Sequence, residues 1–219
     1  MKNTIITLAL TAALSTLGVT SAYAQQVSPS IYAASPWYVT LQAGAAKYAK
    51  NTFDFDIWDN TSSFDSEGGY GLRAAVGYNL SAYDNLALEL GLSKMHNTNR
   101  VVTSGSSTSK AEMSNMMEVD LLAKYTFFKG DSVNFYGKLG PSLVRYDLAA
   151  PTAGLYDFTS ATSVSKLTAK VGFGAEYAFN SSNDIDFSFN YTFGNGDDLK
   201  NKDYIPSISF VAIGLHHHF

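Results

Sequence analysis

The feature that most constrains this chain is an alternation of apolar and polar side chains that repeats every second residue. In the clearest run, residues 185–193, the side chains of Ile185, Phe187 and Phe189 are each followed by a polar one. Successive side chains of a β-strand point to opposite faces, so this period is typical of strands that separate an apolar from a polar environment. We therefore predict an all-β fold.

Eight runs share this alternation, and the connections between them alternate in length. The predicted strands are Trp37–Lys47, Tyr70–Leu80, Leu86–Met95, Met116–Phe128, Val133–Val144, Val164–Phe179, Ile185–Phe193 and Ser207–Phe219. The short turns are Ser81–Asn85, Lys129–Ser132 and Asn180–Asp184, and the long loops are Tyr48–Gly69, His96–Asn115, Tyr146–Ser163 and Asn195–Pro206. This arrangement predicts an eight-stranded antiparallel up-and-down transmembrane β-barrel with short periplasmic turns and long extracellular loops.

Proline positions agree with these boundaries, with one exception. Pro36 precedes the first predicted strand and Pro206 precedes the last. Pro141 falls inside the fifth strand, where it lacks the N–H that a ladder needs. We therefore expect a bulge or the end of strand pairing at Pro141.

The N-terminus has the pattern of a secretory signal peptide. Lys2 is followed by an apolar run from Ile5 to Val19 and by a small-x-small site that predicts cleavage between Ala24 and Gln25. The alternative is a membrane anchor, but the run is shorter than the roughly 20 residues of a spanning helix. The predicted organisation is a signal peptide (1–24), a periplasmic N-terminal segment (25–36) and one barrel domain (37–219).

Alternation alone does not decide whether the apolar face points inward, as in a soluble lipocalin-type barrel, or outward to lipid. The polar face carries five cationic and five anionic side chains, a balanced set that can neutralise itself inside a narrow barrel. Glycines on the same face leave room for them at Gly71, Gly77, Gly91, Gly172 and Gly174. The predicted interior network consists of Arg73, Glu89, Glu118, Asp120, Lys124, Lys138, Lys166, Lys170, Glu176 and Asp186. The alternative is that these are ordinary solvent-facing charges.

Aromatic residues on the apolar face also favour lipid outside, because they gather near the short-turn ends where membrane barrels carry an aromatic girdle. They are Trp37, Tyr78, Phe127, Phe135, Phe179, Phe187 and Phe219. We therefore predict that the apolar face points outward.

Two segments resemble the small outer-membrane β-barrel superfamily, which includes the OmpA membrane domain, OmpX and Ail-type proteins. Residues 135–146, FYGKLGPSLVRY, look like the fifth strand of many members, and residues 213–219, IGLHHHF, look like the last. The ending resembles the signal that the outer-membrane assembly machinery reads, with Val211, Ile213, Leu215 and Phe219 as its apolar positions.

The resemblance implies a protein of the bacterial outer membrane, in contact with membrane lipid and lipopolysaccharide. It further implies a non-enzymatic role in which the surface loops mediate adhesion and colonisation, or support envelope integrity, through a host or cell-surface ligand. The alternative is a narrow transport channel. Eight strands enclose an interior just wide enough for side chains, so a wide pore is not expected.

The first long loop is the candidate contact region. Asp54, Phe55, Asp56 and Trp58 alternate acidic and aromatic side chains, which suits cation binding or contact with lipopolysaccharide or a host surface. The alternative is that this alternation only extends the first two strands into a hairpin above the membrane.

The residues for catalysis, metals and nucleic acids are sparse. His96 is the histidine expected at the extracellular rim, where an outer-membrane hydrolase would need one, but no nucleophile motif accompanies it. His216 and His218 share a face without an evident third ligand, so no metal or other cofactor is predicted. A net charge of −4 without basic clusters gives no reason to bind nucleic acid, and a chain without cysteine forms no disulfides.

Overall fold

The computed structural model describes residues 35–49, 68–80, 83, 85–104, 107–152, 159–195 and 203–219. Within these ranges the chain forms nine antiparallel β-strands. They are β1 (Trp37–Ala49), β2 (Gly68–Asn79), β3 (Leu86–Met95), β4 (Thr98–Ser104), β5 (Ser107–Lys129), β6 (Val133–Leu148), β7 (Thr162–Asn180), β8 (Asn183–Thr192) and β9 (Ser207–His218). No helix in the described ranges has the length and apolar character needed to cross a membrane.

The sheet closes on itself as a barrel. Each strand from β5 to β9 pairs with its sequence neighbour, β9 pairs with β1, and β1 with β2 and β2 with β3. Because β3 and β4 both pair with β5, they form one interrupted wall position, and the barrel has eight strands around its circumference. The predicted all-β, eight-stranded antiparallel barrel is confirmed.

The side-chain alternation places apolar residues outside and charged residues inside, as predicted. On β3, Leu88, Leu90 and Leu92 are exposed on the outer wall, whereas Glu89 and Ser93 are buried. The predicted girdle residues also lie on the outer wall, with Trp37 against Tyr78 at a ring distance of 4.9 Å. An apolar outer wall around a charged interior requires lipid rather than water outside.

The strands extend further from the short-turn end than predicted. The expected loop of residues 96–115 contains β4 and the first part of β5, and β6 continues to Leu148. Residues 96–115 were predicted as a loop because they connect two alternating runs, but they are rich in Ser and Thr, and β-branched Thr fits a strand ladder well. We call the band of exposed apolar residues on the outer wall, which includes Leu88, Leu90 and Leu92, the apolar belt. The barrel wall therefore extends beyond this belt, away from the short-turn end.

An irregularity in β5 marks the base of this extension. The register between β5 and β6 shifts between Ser114 and Met117, and Asn115 has a φ of 54°. Odd-numbered residues such as Met113 are buried before the bulge, and even-numbered residues such as Met116 are buried after it. Asn115 donates a side-chain hydrogen bond to Asp147 at 2.9 Å. The bulge thus keeps apolar side chains inside on both sides of the shift.

We expect Asn115→Ala to lower the free energy of unfolding by about 1–2 kcal/mol, because a Cβ without a local hydrogen bond is strained in the left-handed region. Asn115→Gly is the matched control, since it loses the same side-chain bond but tolerates positive φ. Urea unfolding of the refolded barrel measures both. Equal stability of the two variants would mean that the backbone conformation at this position carries no strain.

At Pro141 the strand neither bulges nor ends, so that part of the expectation is wrong, but its pairing with β5 is interrupted there. Pro141 pairs with Ala169 of β7, and the register with β5 is the same at Leu139 and at Ser142. No pair with β5 is formed at Gly140 and Pro141, so the missing N–H interrupts the ladder locally without shifting it.

The upper part of the interior is mainly apolar, although the buried guanidinium of Arg100 also lies there, 4.9 Å from the ring of Tyr204. Tyr204 and Ile205, from the segment before β9, are buried there together with strand residues. The tyrosine hydroxyl of Tyr146 donates to the carbonyl of Tyr204, which fastens this segment inside the wall. We call this group the apolar cluster: Ala46, Tyr48, Met95, Ala111, Met113, Met116, Val144, Tyr146, Leu148, Val164, Tyr204, Ile205, Ile208, Phe210 and Ala212.

Several sequence predictions lie outside the described residues. They are the signal peptide with its cleavage site at Ala24 and Gln25, and the loop residues Asp54, Phe55, Asp56 and Trp58.

Candidate functional site

The centre of the interior is an ion-pair network built around Arg73 of β2. Its Nη2 lies 2.7 Å from Oε1 of Glu89 on β3 and 2.7 Å from Oδ1 of Asp120 on β5. Its Nη1 donates to the amide oxygen of Gln42 on β1 at 3.3 Å. Arg73, Glu89 and Asp120 are 0–2% exposed. Because water does not reach the two carboxylates, they depend on the guanidinium of Arg73 for their charge-assisted hydrogen bonds.

Two lysines extend the network around the barrel. The ammonium of Lys138 on β6 donates to both oxygens of Glu89 at 2.9 Å. That of Lys170 on β7 lies 2.8 Å from Glu118 and 2.9 Å from Asp120. Five strands, β2, β3, β5, β6 and β7, thus contribute charges to one continuous set of contacts across the lumen.

A second group lies beside the first. Lys124 of β5 pairs with Glu176 of β7, and its ammonium also faces the ring of Tyr136 at 4.6 Å. Asp186 of β8 accepts hydrogen bonds of 2.5 Å from the side-chain amide of Gln42 and from the hydroxyl of Tyr136. The polar partners Gln42 and Tyr136 were not singled out by the sequence analysis, although alternation places both on the inner face.

Glycines provide the space that these side chains occupy. A Cβ on Gly91 would lie 2.4 Å from both Nη2 of Arg73 and Oδ1 of Asp120, and one on Gly77 would lie within the ring of Tyr38. Cβ atoms on Gly71, Gly172 and Gly174 would likewise meet interior side chains within 2.6 Å. The predicted spacing role of these five glycines is confirmed.

Lys166 was predicted to belong to the interior network, and this prediction is wrong. Its side chain is 45% exposed and, among the residues that the structure describes, forms an ion pair with Asp203 at 3.9 Å. The last pair between β7 and β8 is Lys170 with Thr192, so Lys166 lies beyond the end of β8, where the wall opens to solvent. The other nine predicted members are buried.

A separate cluster lies at the short-turn end of the lumen. Asp184 at the start of β8 pairs across the ladder with His216 of β9, and His218 lies on the same inner face. Nε2 of His218 is 3.0 Å from Oδ2 of Asp184, and Nδ1 of His216 is 2.9 Å from Oε1 of Glu176. The sequence analysis found no third residue for the two histidines because it placed Asp184 in a turn, where alternation assigns no face.

His96 lies in the break between β3 and β4. Its ring is 5.1 Å from that of Tyr48 and 6.1 Å from that of Tyr70. Neither ring nitrogen has a hydrogen-bond partner among the described residues, and burial lowers the pKa of the imidazole.

The predicted assembly residues lie on the outer face of β9 and at Phe219, the residue that follows it. Val211, Ile213 and Phe219 are exposed and Leu215 is half-buried. The intervening His217 packs against Phe219 and is 2.9 Å from the amide oxygen of Asn183. This face of the last strand is open to a partner from outside the barrel.

The chain is similar to known barrels in sequence pattern and fold. Residues 9–210 match the family model described as outer membrane protein beta-barrel domain. Neisserial surface protein A is 19% identical over 84% of this chain and 98% of its own, with a TM-score of 0.55. OprG from Pseudomonas aeruginosa is 14% identical over 84% of this chain and 98% of its own, with a TM-score of 0.51. No curated protein matches the sequence.

Proposed function

Since the chain belongs to the outer membrane protein beta-barrel domain family and is located in the bacterial outer membrane, we propose that it is a non-enzymatic surface protein whose extracellular loops mediate adhesion and colonisation, or support envelope integrity. The observation that carries this proposal is the filled lumen. Arg73, Lys124, Lys138 and Lys170 are each buried in an ion pair with a carboxylate from another strand. A barrel closed in this way supports action at its surface rather than passage through it.

The layering of the interior supports the same proposal. The apolar cluster lies above the ion pairs, and Tyr48, Tyr146 and Tyr204 within it are all fully buried. A hydrated solute would have to displace both an apolar layer and a charged one. Breaking a buried pair by removing one partner costs about 3–5 kcal/mol, so the native state favours a closed lumen.

The raised wall supports a role for the loops. β4, the first part of β5 and the end of β6 extend above the apolar belt as regular ladder. Loops carried on a rigid wall are the common location of binding residues. We propose that membrane lipid and lipopolysaccharide contact the outer wall, that the assembly machinery recognises β9, and that the loops meet a host or cell-surface ligand.

Conductance in planar bilayers tests the closed lumen. The refolded barrel is expected to give no reproducible current steps under conditions in which a wide porin does. The variant Tyr204→Ala is compared with the wild-type protein, because the substitution removes a side chain of the apolar cluster and leaves the ion pairs in place. Steps in the wild-type protein would overturn the closed-barrel proposal and favour the narrow channel.

Adherence of bacteria that display the protein tests the loop role. We expect a variant with Asp54→Asn, Asp56→Asn and Trp58→Ala to lose most of the adherence to host cells that the wild-type protein confers. Asp131→Asn is the matched control, since it removes a carboxylate from the short β5–β6 turn at the opposite end. Equal adherence of all three strains, together with unchanged detergent sensitivity of a deletion strain, would contradict both proposed roles.

A further inference from the structure

The cluster of Asp184, His216 and His218 has the composition and spacing of a metal site. One candidate ligand atom from each residue lies within 4.8 Å of the other two. The two imidazole rings have centroids 4.5 Å apart. We propose that this cluster binds a divalent transition cation of the Zn²⁺ class at the short-turn end of the barrel.

The ligand chemistry selects this class of ion. Imidazole and carboxylate together suit Zn²⁺ and its neighbours, whereas Mg²⁺ and Ca²⁺ prefer oxygen ligands alone. Two ligands of a tetrahedral ion with bonds of about 2.0–2.1 Å lie roughly 3.3 Å apart. The Nε2 of His218 and Oδ2 of Asp184 are already 3.0 Å apart, so an ion can take the place of their hydrogen bond with little movement of these two groups. The ligand atom of His216 lies within 4.8 Å of the other two and would move inward to complete the set. A water molecule would complete the coordination.

His216 provides a second and independent sign of a ligand. Its ring is 1% exposed, yet Nε2 has no hydrogen-bond partner among the described residues. Buried polar atoms are nearly always paired, so this one calls for a partner. Nδ1 lies 2.9 Å from the carboxylate of Glu176 and the ring stacks on Tyr38 at 4.3 Å. Such a carboxylate–histidine pair orients the ring and leaves Nε2 as the metal ligand.

The charge of the lumen favours a cation at this end. Below the apolar cluster the described interior holds six buried carboxylates but four buried Lys and Arg side chains, because Lys166 lies beyond the end of β8 and is exposed, and Arg100 lies within the apolar cluster against Tyr204. The carboxylates are Glu89, Glu118, Asp120, Glu176, Asp184 and Asp186, and the cations are Arg73, Lys124, Lys138 and Lys170. A divalent ion supplies the two positive charges that balance this set, and buried charge is tolerated when it is balanced.

The ion would join the last strand to the one before it. Asp184 belongs to β8, and both histidines belong to β9, which also closes the barrel against β1. Access is from the short-turn end, since the His218 side chain is 18% exposed there. Because the ion binds the closed barrel alone, it stabilises the barrel by an amount that grows with the logarithm of the ion concentration above the Kd.

Calorimetric titration of the mature, refolded, tag-free barrel with Zn²⁺ tests the site. We expect saturable binding of one equivalent, no competition by Mg²⁺, and a urea midpoint that rises when Zn²⁺ is present. His218→Gln and Asp184→Asn are each expected to weaken Zn²⁺ binding by roughly tenfold or more, as loss of even an outer-shell partner does.

His217→Gln is the matched control, because the same substitution one residue away lies on the lipid-facing side and should leave binding unchanged. Heat-dependent gel migration confirms that each variant is folded. Should His218→Gln not fold, Asp184→Asn gives the same comparison. Absence of saturable wild-type binding, or equal loss in the His217 and His218 variants, would overturn the proposal.

Discussion

Arg73→Gln is expected to lower the free energy of unfolding of the barrel by about 3–5 kcal/mol, because it removes one partner of two buried ion pairs. Glu89 and Asp120 each lie 2.7 Å from this guanidinium and are 0–1% exposed. Glutamine keeps hydrogen-bonding capacity but no charge, so the remaining lysines face an excess of carboxylate. The urea midpoint of the refolded protein, followed by tryptophan fluorescence, measures the loss.

Lys166→Gln is the control for Arg73→Gln. It removes a cation of the same polar face, but one that is 45% exposed and 3.9 Å from its partner. Exposed pairs contribute about 0–1 kcal/mol, so its midpoint should stay close to that of the wild type. Similar losses in the two variants would show that net charge, rather than the buried contacts of Arg73, determines stability.

Gly91→Ala is expected to destabilise the barrel by about 1–3 kcal/mol, the range for overpacking a filled interior. The added Cβ would lie 2.4 Å from Arg73 Nη2 and from Asp120 Oδ1, so it would separate the pair at the centre of the network. The same urea titration measures this effect. Because the disturbance acts on one contact, combining Gly91→Ala with Arg73→Gln should give less than the sum of the two losses.

Gly137→Ala is the control, because the nearest atom to its added Cβ is the carbonyl oxygen of Gly172 at 3.9 Å. Nothing has to move there, and a strand interior loses a flexible residue. We expect a change close to zero or a slight gain in stability. A loss as large as that of Gly91→Ala would mean that glycine flexibility, and not space for Arg73, is required in the wall.

The inner and outer faces could be predicted from sequence because strand alternation has a fixed period. Arg73 and Glu89 fall on the polar face of their strands whatever the barrel's dimensions, and both are buried. Which cation meets which carboxylate could not be predicted, because it depends on the stagger between strands around the barrel. The same limit applies to Lys166. The sequence placed it on the correct face of its strand, but it does not reveal that Lys166 lies beyond the end of β8.

Residues at strand ends were harder to place. Asp184 was assigned to a turn, so its position opposite His216 could not be anticipated, and with it the third member of the histidine cluster. The apolar cluster was missed for a similar reason, since Met113 and Tyr204 fall in segments that were predicted to be long loops. A bulge such as that at Asn115 reverses the alternation, and only the three-dimensional ladder reveals it.

The ion pairs of the lumen have a consequence for how the barrel is made. Their partners are far apart in the chain: Arg73 and Asp120 are 47 residues apart, Lys170 and Asp120 are 50, and Lys124 and Glu176 are 52. An incomplete sheet would therefore present unpaired charges to the bilayer, at a cost of several kcal/mol for each. Partially assembled sheets are therefore unstable in lipid. Insertion becomes an all-or-none event that is coupled to the pairing of β1 with β9.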